Sequence, residues 1–550
     1  MTKHTLKHST LNRALRGSPS ASTVQFRNLK FASISGRWQD SVPNENLPGD
    51  PQAIFDATKF GPSCPQKHGA QAWDVTLTGN VKMPLQEGHQ ASEELMDEFD
   101  CLSVNVTVPS PCVGEGKQTG NNRKGLPVFV WVHGGGLSMG SNSWPQYDLT
   151  KFVERSVEVG EPVIGVSLNY RVGILGFLAS EELGINGNFG YKDQILAFRW
   201  VKKHIAGFGG DPNNITAAGE SAGGISLSTL LCADVGSQGL FERVVVMSGD
   251  ATLRAPRSKE WHEYMYHDQL KFLGLDKKKT NERKTALAQM DAGVLVNKLP
   301  LAQHFCACID GEFLKNDVRL RFMGDGNHKQ HKPDWCTEFV IGDTAHDGTI
   351  LKARVLDNPD ALSLLRSVCA KHLSPFETSN LLAAYNIPAP IPAQTYQNLL
   401  ELASELRFYL PTLTAYSGWK TARPPKYSRR YHFHVHNPIE GSSTGLASHE
   451  FDVALLLNSY ESALDETRKE TAKQMRDQWI RFANGKGWCE AGTVVVIGDG
   501  GVVMVDEKEY DDRYRGGRGK VLESIGAERL WAVAEAWQGV RKLENAKAKI

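Results

Sequence analysis

The chain of 550 residues lacks several features that would place it in a whole class of proteins. No stretch approaches the roughly 18–20 consecutive apolar residues of a membrane-spanning helix. Lys and Arg together number 62, as do Asp and Glu, so no charge excess indicates a nucleic-acid or membrane partner. Residues 1–20 lack the apolar core of a signal peptide, from which we expect a cytoplasmic protein.

Cofactor and metal motifs are also missing. The chain has nine cysteines, an odd number that leaves at least one unpaired, and none lie in a C-x-x-C pair. The histidines of "HFHVH", at 432, 434 and 436, alternate along a predicted strand and have a spacing that could bind a metal, but hydrogen-bonded strand histidines are the favoured interpretation. No phosphate-binding or dinucleotide-binding fingerprint occurs. We therefore expect neither a cofactor nor a metal.

What the chain does contain is an alternation of strand and helix patterns, with 41% hydrophobic and 23% charged residues. Branched apolar runs at 125–136, 161–171 and 241–249 predict buried strands, and 188–210 has the apolar spacing of a helix. The alternation predicts an α/β fold with a mostly parallel sheet covered by helices. Helical insertions are expected at about 251–335 and 355–430, within one domain spanning residues 1–550.

One serine has an unusual setting, in "GESAGG" at 219–224. The G-x-S-x-G pattern is typical of a sharp strand-to-helix turn that presents Ser221 at its apex, because side chains at the flanking positions would clash. The segment 214–233 has the strand, turn and helix patterns that such a turn needs. Upstream, "HGGG" at 133–136 ends a predicted strand, and its glycines leave backbone N–H groups open to a substrate oxygen.

Long stretches of the chain resemble the type-B carboxylesterases, which share the cholinesterase-like α/β-hydrolase fold. The similar segments include "WVHGGGLSMGS", "NYRVGILGFL" and "FGYKDQILAFRWVKKHIAGFGGDPNNITAAGESAGG". Further on, "IGDTAHDGTI" resembles the loop that carries the catalytic acid, and "HNPIEGSSTGLASHEFDVALLL" the loop that carries the base. The resemblance covers nearly the whole chain and implies an α/β-hydrolase fold.

The resemblance implies a catalytic triad of Ser221 as nucleophile, Asp347 as acid and His449 as base. The order serine, acid, histidine is the one that this fold imposes. Asp343, four residues earlier in the same loop, is the rival acid, and Ser248 is the first replacement if Ser221 is not the nucleophile.

The oxyanion donors implied are the backbone N–H groups of Gly135, Gly136 and Ala222. Three positions are expected near the substrate pocket. Leu137 stands where the family usually has an aromatic residue, Asp250 where it often has a small one, and Glu220 beside the nucleophile is expected to join a structural hydrogen-bond network. The acid itself is an aspartate where the family usually has glutamate.

Cys64 and Cys101 match positions that form a disulfide in secreted members of the family. A reducing cytosol would keep both as thiols, so the pairing depends on the compartment.

The resemblance implies a serine hydrolase that cleaves small-molecule carboxylic esters through an acyl-enzyme, as a monomer or homodimer. Two alternatives stay open: an acyltransferase or lactone hydrolase with the same triad, and a non-catalytic binding protein of the same fold.

Overall fold

A large β-sheet forms the centre of the protein in the computed structural model, which describes residues 4–44, 46–83, 94–110, 125–301, 303–387 and 395–539. The strands are β1 (Thr5–His8), β2 (Arg13–Pro19), β3 (Thr23–Lys30), β4 (Ala32–Ser33), β5 (Val42–Pro43), β6 (Phe55–Ala57), β7 (Ser103–Pro109), β8 (Leu126–Val132), β9 (Ile164–Leu168), β10 (Gly210–Glu220), β11 (Arg243–Met247), β12 (Glu338–Thr344), β13 (Tyr427–His434), β14 (Thr493–Gly498) and β15 (Gly501–Asp506).

The central strands are parallel, in the order β9, β8, β10, β11, β12, β13 and β14, and antiparallel strands extend the sheet at both ends. Over the described residues thirteen strands join this sheet, while β4 and β5 form a separate pair. The mostly parallel sheet predicted from the sequence is confirmed.

Strand β8 shows why the centre of the sheet is buried on both faces. Alternate side chains of a strand point to opposite faces. Val130 and Val132 therefore pack into one hydrophobic core, and Phe129 and Trp131 into another on the opposite face. A continuous apolar run of this kind is typical of a parallel strand covered by helices on both sides.

Helices surround the sheet. They are α1 (Ala70–Thr78), α2 (Thr150–Glu158), α3 (Gly173–Phe177), α4 (Phe189–His204), α5 (Ala222–Cys232), α6 (Lys259–Leu273), α7 (Thr280–Gln289), α8 (Ala292–Lys298), α9 (Leu320–Gly324), α10 (Ala361–His372), α11 (Pro375–Ala384), α12 (Thr395–Ser404), α13 (Leu410–Lys420), α14 (Phe451–Leu457), α15 (Glu466–Ala483), α16 (Glu507–Tyr514), α17 (Gly519–Ile525) and α18 (Ala527–Gln538). None of these described helices has the length and apolar character required to cross a membrane.

The expected insertions contain α6 to α9 and α10 to α13. The second group forms a hydrophobic cluster with the last helices of the chain, in which Leu365 and Leu400 join Leu530 and Val533. The interpretation of residues 1–550 as one domain stays a prediction.

Four loops meet where the parallel strands end. The "HGGG" loop follows β8, the serine turn follows β10, and the loops of Asp347 and His449 follow β12 and β13. In open α/β sheets, ligands bind at the carboxyl ends of the strands. The topology therefore brings these four loops to one edge of the sheet.

Candidate active site

Ser221 occupies a strained turn between β10 and α5. Its backbone has φ 51° and ψ −117°, outside the regions that most L-residues adopt. The backbone N–H of Ser221 donates to the Met247 carbonyl at 2.9 Å, which ties the turn to β11. A Cβ on Gly223 would lie 2.0 Å from the Val132 carbonyl oxygen, so only glycine allows the approach of helix and strand. The predicted strand, turn and helix are all present.

The glycine loop after β8 is equally constrained. Gly135 has φ 96° and Gly136 has φ 61°, and a Cβ on Gly135 would lie 2.3 Å from the Met139 carbonyl oxygen. Within the part of the chain that the structure describes, the backbone N–H groups of Gly135, Gly136 and Ala222 have no protein acceptor. Such free donors beside a nucleophile can bind the oxygen of a reacting carbonyl group.

His449 and Asp347 form a buried pair. Nδ1 of His449 lies 2.6 Å from Oδ1 of Asp347, and both side chains are almost completely excluded from solvent. The other Asp347 oxygen accepts the Thr344 backbone N–H at 2.8 Å, which fixes the carboxylate. The two loops are joined by a hydrogen bond from the His346 backbone N–H to the Ala447 carbonyl. The imidazole is thereby held through its Nδ1.

The rival acid lies elsewhere. Asp343 lies within β12, opposite His432 in the register of β12 and β13, and its Oδ1 is 2.8 Å from Nδ1 of that histidine. Of the two aspartates, the structure brings Asp347 to His449.

Glu220 contacts the free side of the same imidazole. Its Oε1 lies 2.9 Å from Nε2 of His449, although the two atoms are not in hydrogen-bonding geometry. Burial by itself would lower the pKa of His449, but the negative charge of Glu220 and the hydrogen bond that Nδ1 donates to Asp347 outweigh it and raise this pKa well above its usual range. Glu220 therefore acts on the proton affinity of the imidazole.

More carboxyl groups lie behind this contact. Tyr147 donates its hydroxyl to Asp74 at 3.0 Å and lies 3.4 Å from Glu450, the residue after the histidine. Burial, followed by the charge of Glu220, raises the pKa of Glu450 well above its usual range. Burial likewise raises the pKa of Asp74 to about 6 and that of Asp452 well above its usual range. Asp74, Glu450 and Asp452 therefore retain protons at a pH where exposed carboxyls have lost theirs.

A cavity of about 460 Å³ joins the serine, the histidine and the glycines. Apolar side chains and three arginines contribute to its lining. The lining residues are Trp73, Asp74, Leu77, Gly135, Gly136, Ser138, Met139, Ser221, Ile225, Leu253, Arg254, Leu301, Gln303, His304, Ile350, Leu351, Ala353, Arg354, Arg407, His449 and Glu450. This size is ordinary for a small-molecule site.

The three residues expected at the pocket do not line it. Leu137 is completely buried in the hydrophobic core and does not line the cavity, so its expected place at the pocket is wrong. Asp250 is also buried, and its Oδ1 accepts the backbone N–H of Thr252 at 2.7 Å and the hydroxyl at 2.6 Å. Glu220 contacts Nε2 of His449 and is not among the residues that line the cavity.

The strand histidines do not converge on a common point. His432 contacts Asp343, His434 lies 3.2 Å from the hydroxyl of Tyr510, and His436 lies 2.6 Å from Asp499. In the described ranges, one group of three potential metal ligands lies close together. It consists of Glu182, Glu263 and His267 and includes none of these histidines.

Comparisons with known proteins agree with this geometry. A model of the carboxylesterase family matches residues 12–487. The chain belongs to the carboxylesterase family. It is 27% identical to Lipase 3 of Yarrowia lipolytica over 490 residues, covering 87% of this chain and 89% of that one. It is 38% identical to the para-nitrobenzyl esterase of Bacillus subtilis over 238 residues, 43% of this chain and 42% of that one.

Among solved structures, a thermophilic PNB esterase superposes with a TM-score of 0.68 at 21% identity, covering 94% of this chain and all of the other. This likeness confirms the α/β-hydrolase fold. The carboxylesterase is thus a serine hydrolase of carboxylic esters that acts on small-molecule substrates.

The cysteines of this carboxylesterase that match the disulfide of secreted relatives lie side by side as free thiols. Cys64 and Cys101 are both buried, and contact with the Cys64 sulfur together with burial raises the pKa of Cys101 well above its usual range. Whether an oxidising compartment would join them stays a prediction.

Sequence reasoning missed the arginines of the cavity. Arg254, Arg354 and Arg407 come from three separate segments that carry no motif. Glu450 directly follows His449 in the sequence, but nothing in the sequence indicated its contact with Tyr147.

Proposed function

We propose that this carboxylesterase hydrolyses its ester through an acyl-enzyme on Ser221, with His449 as the base and Asp347 as its orienting acid. The 2.6 Å contact between His449 and Asp347 carries the proposal, because it holds the imidazole in the cavity that also contains Ser221. The strained turn of Ser221 and the free amides of the glycine loop support the same assignment.

The reaction begins when His449 takes the proton of the Ser221 hydroxyl as the oxygen attacks the ester carbonyl. The carbonyl oxygen becomes negative and accepts hydrogen bonds from the backbone N–H groups of Gly135, Gly136 and Ala222. The imidazolium, held by Asp347, then protonates the leaving alcohol. Water, activated by the same imidazole, releases the acid and restores the serine.

Asp347 is one methylene shorter than the glutamate usual in the family. The 2.6 Å distance between Nδ1 of His449 and Oδ1 of Asp347 supports the assignment, and a short helical segment, Asp347–Leu351, begins at the acid. The shorter side chain is therefore compatible with the assigned role.

Replacement of the nucleophile tests the proposal. Ser221→Ala is expected to reduce kcat for ethyl butyrate by at least about a thousandfold, because no oxygen remains to form the acyl-enzyme. Ser248→Ala is the matched control, since Ser248 is a second buried serine with positive φ at the end of the neighbouring strand β11. Loss of activity in the Ser248 variant with full activity in Ser221→Ala would overturn the assignment.

Hydrolysis and acyl transfer share the acyl-enzyme and differ only in the acceptor. Products should be analysed with and without an added acceptor alcohol. Free acid is expected as the main product in both, and a new ester as the main product would favour the acyltransferase.

A further inference from the structure

The cavity of Ser221 has a cationic side that the triad mechanism does not use. Arg254, Arg354 and Arg407 all line it. Arg254 and Arg407 have no ion pair with any residue that the structure describes. Lining a cavity with several cationic side chains disfavours a neutral apolar occupant and favours an anionic one.

Arg254 lies beside Gly136 in the glycine loop after β8. One of its guanidinium nitrogens, Nη2, lies 3.5 Å from the point that a Cβ on Gly136 would occupy. The other, Nη1, lies 2.8 Å from Nδ1 of His304. Burial and the charge of Arg254 lower the pKa of His304 well below its usual range, so Nδ1 accepts this hydrogen bond. The neutral histidine therefore orients Arg254 without neutralising its charge.

Arg407 is held in a similar way by neutral groups. Nη2 donates to the Leu253 carbonyl at 3.0 Å, the guanidinium lies 4.9 Å from the centre of the Trp531 ring, and Nε has no partner among the described residues. The side chain is only 5% exposed. The charges of Glu535 and, less strongly, Asp250 attract Arg407, but neither carboxyl forms an ion pair with it among the described residues, and Asp250 is hydrogen-bonded to Thr252.

Burial and mutual repulsion act on both arginines. Burial, followed by the charge of Arg354, lowers the pKa of Arg254 and that of Arg407 to about 10. Arg407 is almost fully buried and Arg254 is partly buried, and an anionic ligand would offset the cost of holding such cations away from water without a carboxylate partner. A bound carboxylate would therefore supply the negative charge that Arg254 and Arg407 lack as a direct partner among the described residues.

The two parts of an ester meet different surroundings in this cavity. The leaving alcohol must lie near His449, which protonates it, and the neighbouring side chains there are Glu450 and Asp74. The arginine nearest the oxyanion loop lies instead beside Gly136. Since the carboxyls of Glu450 and Asp74 offer an anion no positive charge whether or not they are protonated, an anionic group is better accommodated beside Arg254, on the acid part of the ester.

We propose that Arg254 and Arg407 bind a carboxylate carried by the acid part of the substrate, so that the preferred esters are monoesters of dicarboxylic acids. This specificity rests on the proposed function of Ser221. The planar guanidinium matches a carboxylate in a two-point hydrogen bond, which a neutral acyl chain cannot form.

The test compares three esters of similar size with the full-length protein. Monoethyl glutarate carries the charge on the acid part, 2-carboxyethyl butyrate carries it on the alcohol, and ethyl hexanoate is neutral. We expect kcat/KM for monoethyl glutarate to exceed that for each of the others by about ten- to a hundredfold, the value of a hydrogen bond to a charged group. Equal or lower kcat/KM for monoethyl glutarate would overturn the specificity while leaving the esterase function intact.

Variants then assign the preference to the arginines. Arg254→Met and Arg407→Met are each expected to reduce the ratio of kcat/KM for monoethyl glutarate to that for ethyl hexanoate by at least about tenfold. Arg513→Met, which removes an exposed arginine on α16, is the control and is expected to leave the ratio unchanged. An unchanged ratio in both cavity variants would contradict the proposal.

These measurements also distinguish failure of the proposed specificity from failure of the proposed function. If either cavity variant fails to fold, inhibition of the wild type by glutarate is compared with inhibition by hexanoate, and equal inhibition would overturn the proposal. If the wild type hydrolyses none of the three esters, the proposed function fails, and with it the specificity.

Discussion

The carboxyl groups near His449 and the cavity arginines Arg254 and Arg407 belong to one site, but they differ in their partners. Asp347 contacts His449, and Asp74 and Glu450 share the hydroxyl of Tyr147. Arg254 and Arg407, in contrast, contact neutral acceptors among the described residues.

This difference distinguishes the groups that affect catalysis at His449 from the arginines that we propose bind the substrate. Of the carboxyl groups, Glu220 and Asp347 raise the pKa of His449. Among the described residues Arg254 and Arg407 form no ion pair, so we expect their counter-charge to come from a ligand. Changes on the acidic side should therefore alter rate and pH dependence, and changes on the cationic side should alter the choice of substrate.

The largest effect is expected on the acidic side, from Asp347→Asn. The amide keeps the size of the acid but can donate to Nδ1, which favours the wrong tautomer of His449, and in a comparable triad this change lowers kcat about ten-thousandfold. Steady-state kinetics with ethyl butyrate measures it. Asp343→Asn is the matched control, because Asp343 contacts His432 instead, and a severe loss in that variant alone would reverse the assignment.

A smaller effect is expected on the cationic side from Arg254→Lys. Lysine keeps the charge but loses the planar fork, including the hydrogen bond to His304. We expect the ratio of kcat/KM for monoethyl glutarate to that for ethyl hexanoate to fall, but by less than in Arg254→Met. A greater fall for lysine than for methionine would show that the charge itself is not what selects the substrate.

Glu220→Gln should shift the pH profile. The charge of Glu220 contributes to the raised pKa of His449, and the imidazole must be neutral to act as a base. Removal of the charge lowers this pKa, so the acidic limb of kcat/KM is expected to move to lower pH. A profile measured with ethyl butyrate checks this, with Glu220→Asp as the charged control. A shift to higher pH in the glutamine variant would contradict the assigned influence.

Leu137 belongs to neither side, and its replacement should change stability alone. Because the side chain is packed in the core, Leu137→Phe is expected to lower the free energy of unfolding by about 1–3 kcal/mol through overpacking. The ratio of kcat/KM for ethyl acetate to that for ethyl hexanoate should stay unchanged. Denaturant unfolding and kinetics measure the two quantities, and a selective loss of the longer ester would restore Leu137 to the pocket wall.

Much of the scaffold could be predicted from the sequence because its signals are local. The apolar runs of β8 and β11 and the glycines around Ser221 carry their structure within a few residues. The helix α15, Glu466–Ala483, likewise has an amphipathic pattern within its own residues.

The rest depends on contacts that no local pattern shows. Asp343 and Asp347 look equivalent in the sequence, and only the pairing of β12 with β13 places Asp343 opposite His432. Leu137 was assigned to the pocket by position, but the turn at φ 61° directs it into the core. The cavity arginines come together only through tertiary packing, and for that reason the cationic side could not be foreseen.

The most direct test of the account is to trap the acyl-enzyme. Wild-type protein mixed with an excess of ethyl butyrate and quenched in acid within the first turnovers should show, by mass spectrometry of its peptides, a butyryl group on the peptide that contains Ser221. The adduct should be absent from Ser221→Ala. A butyryl group on another residue, with turnover intact, would contradict the central claim that Ser221 is the nucleophile.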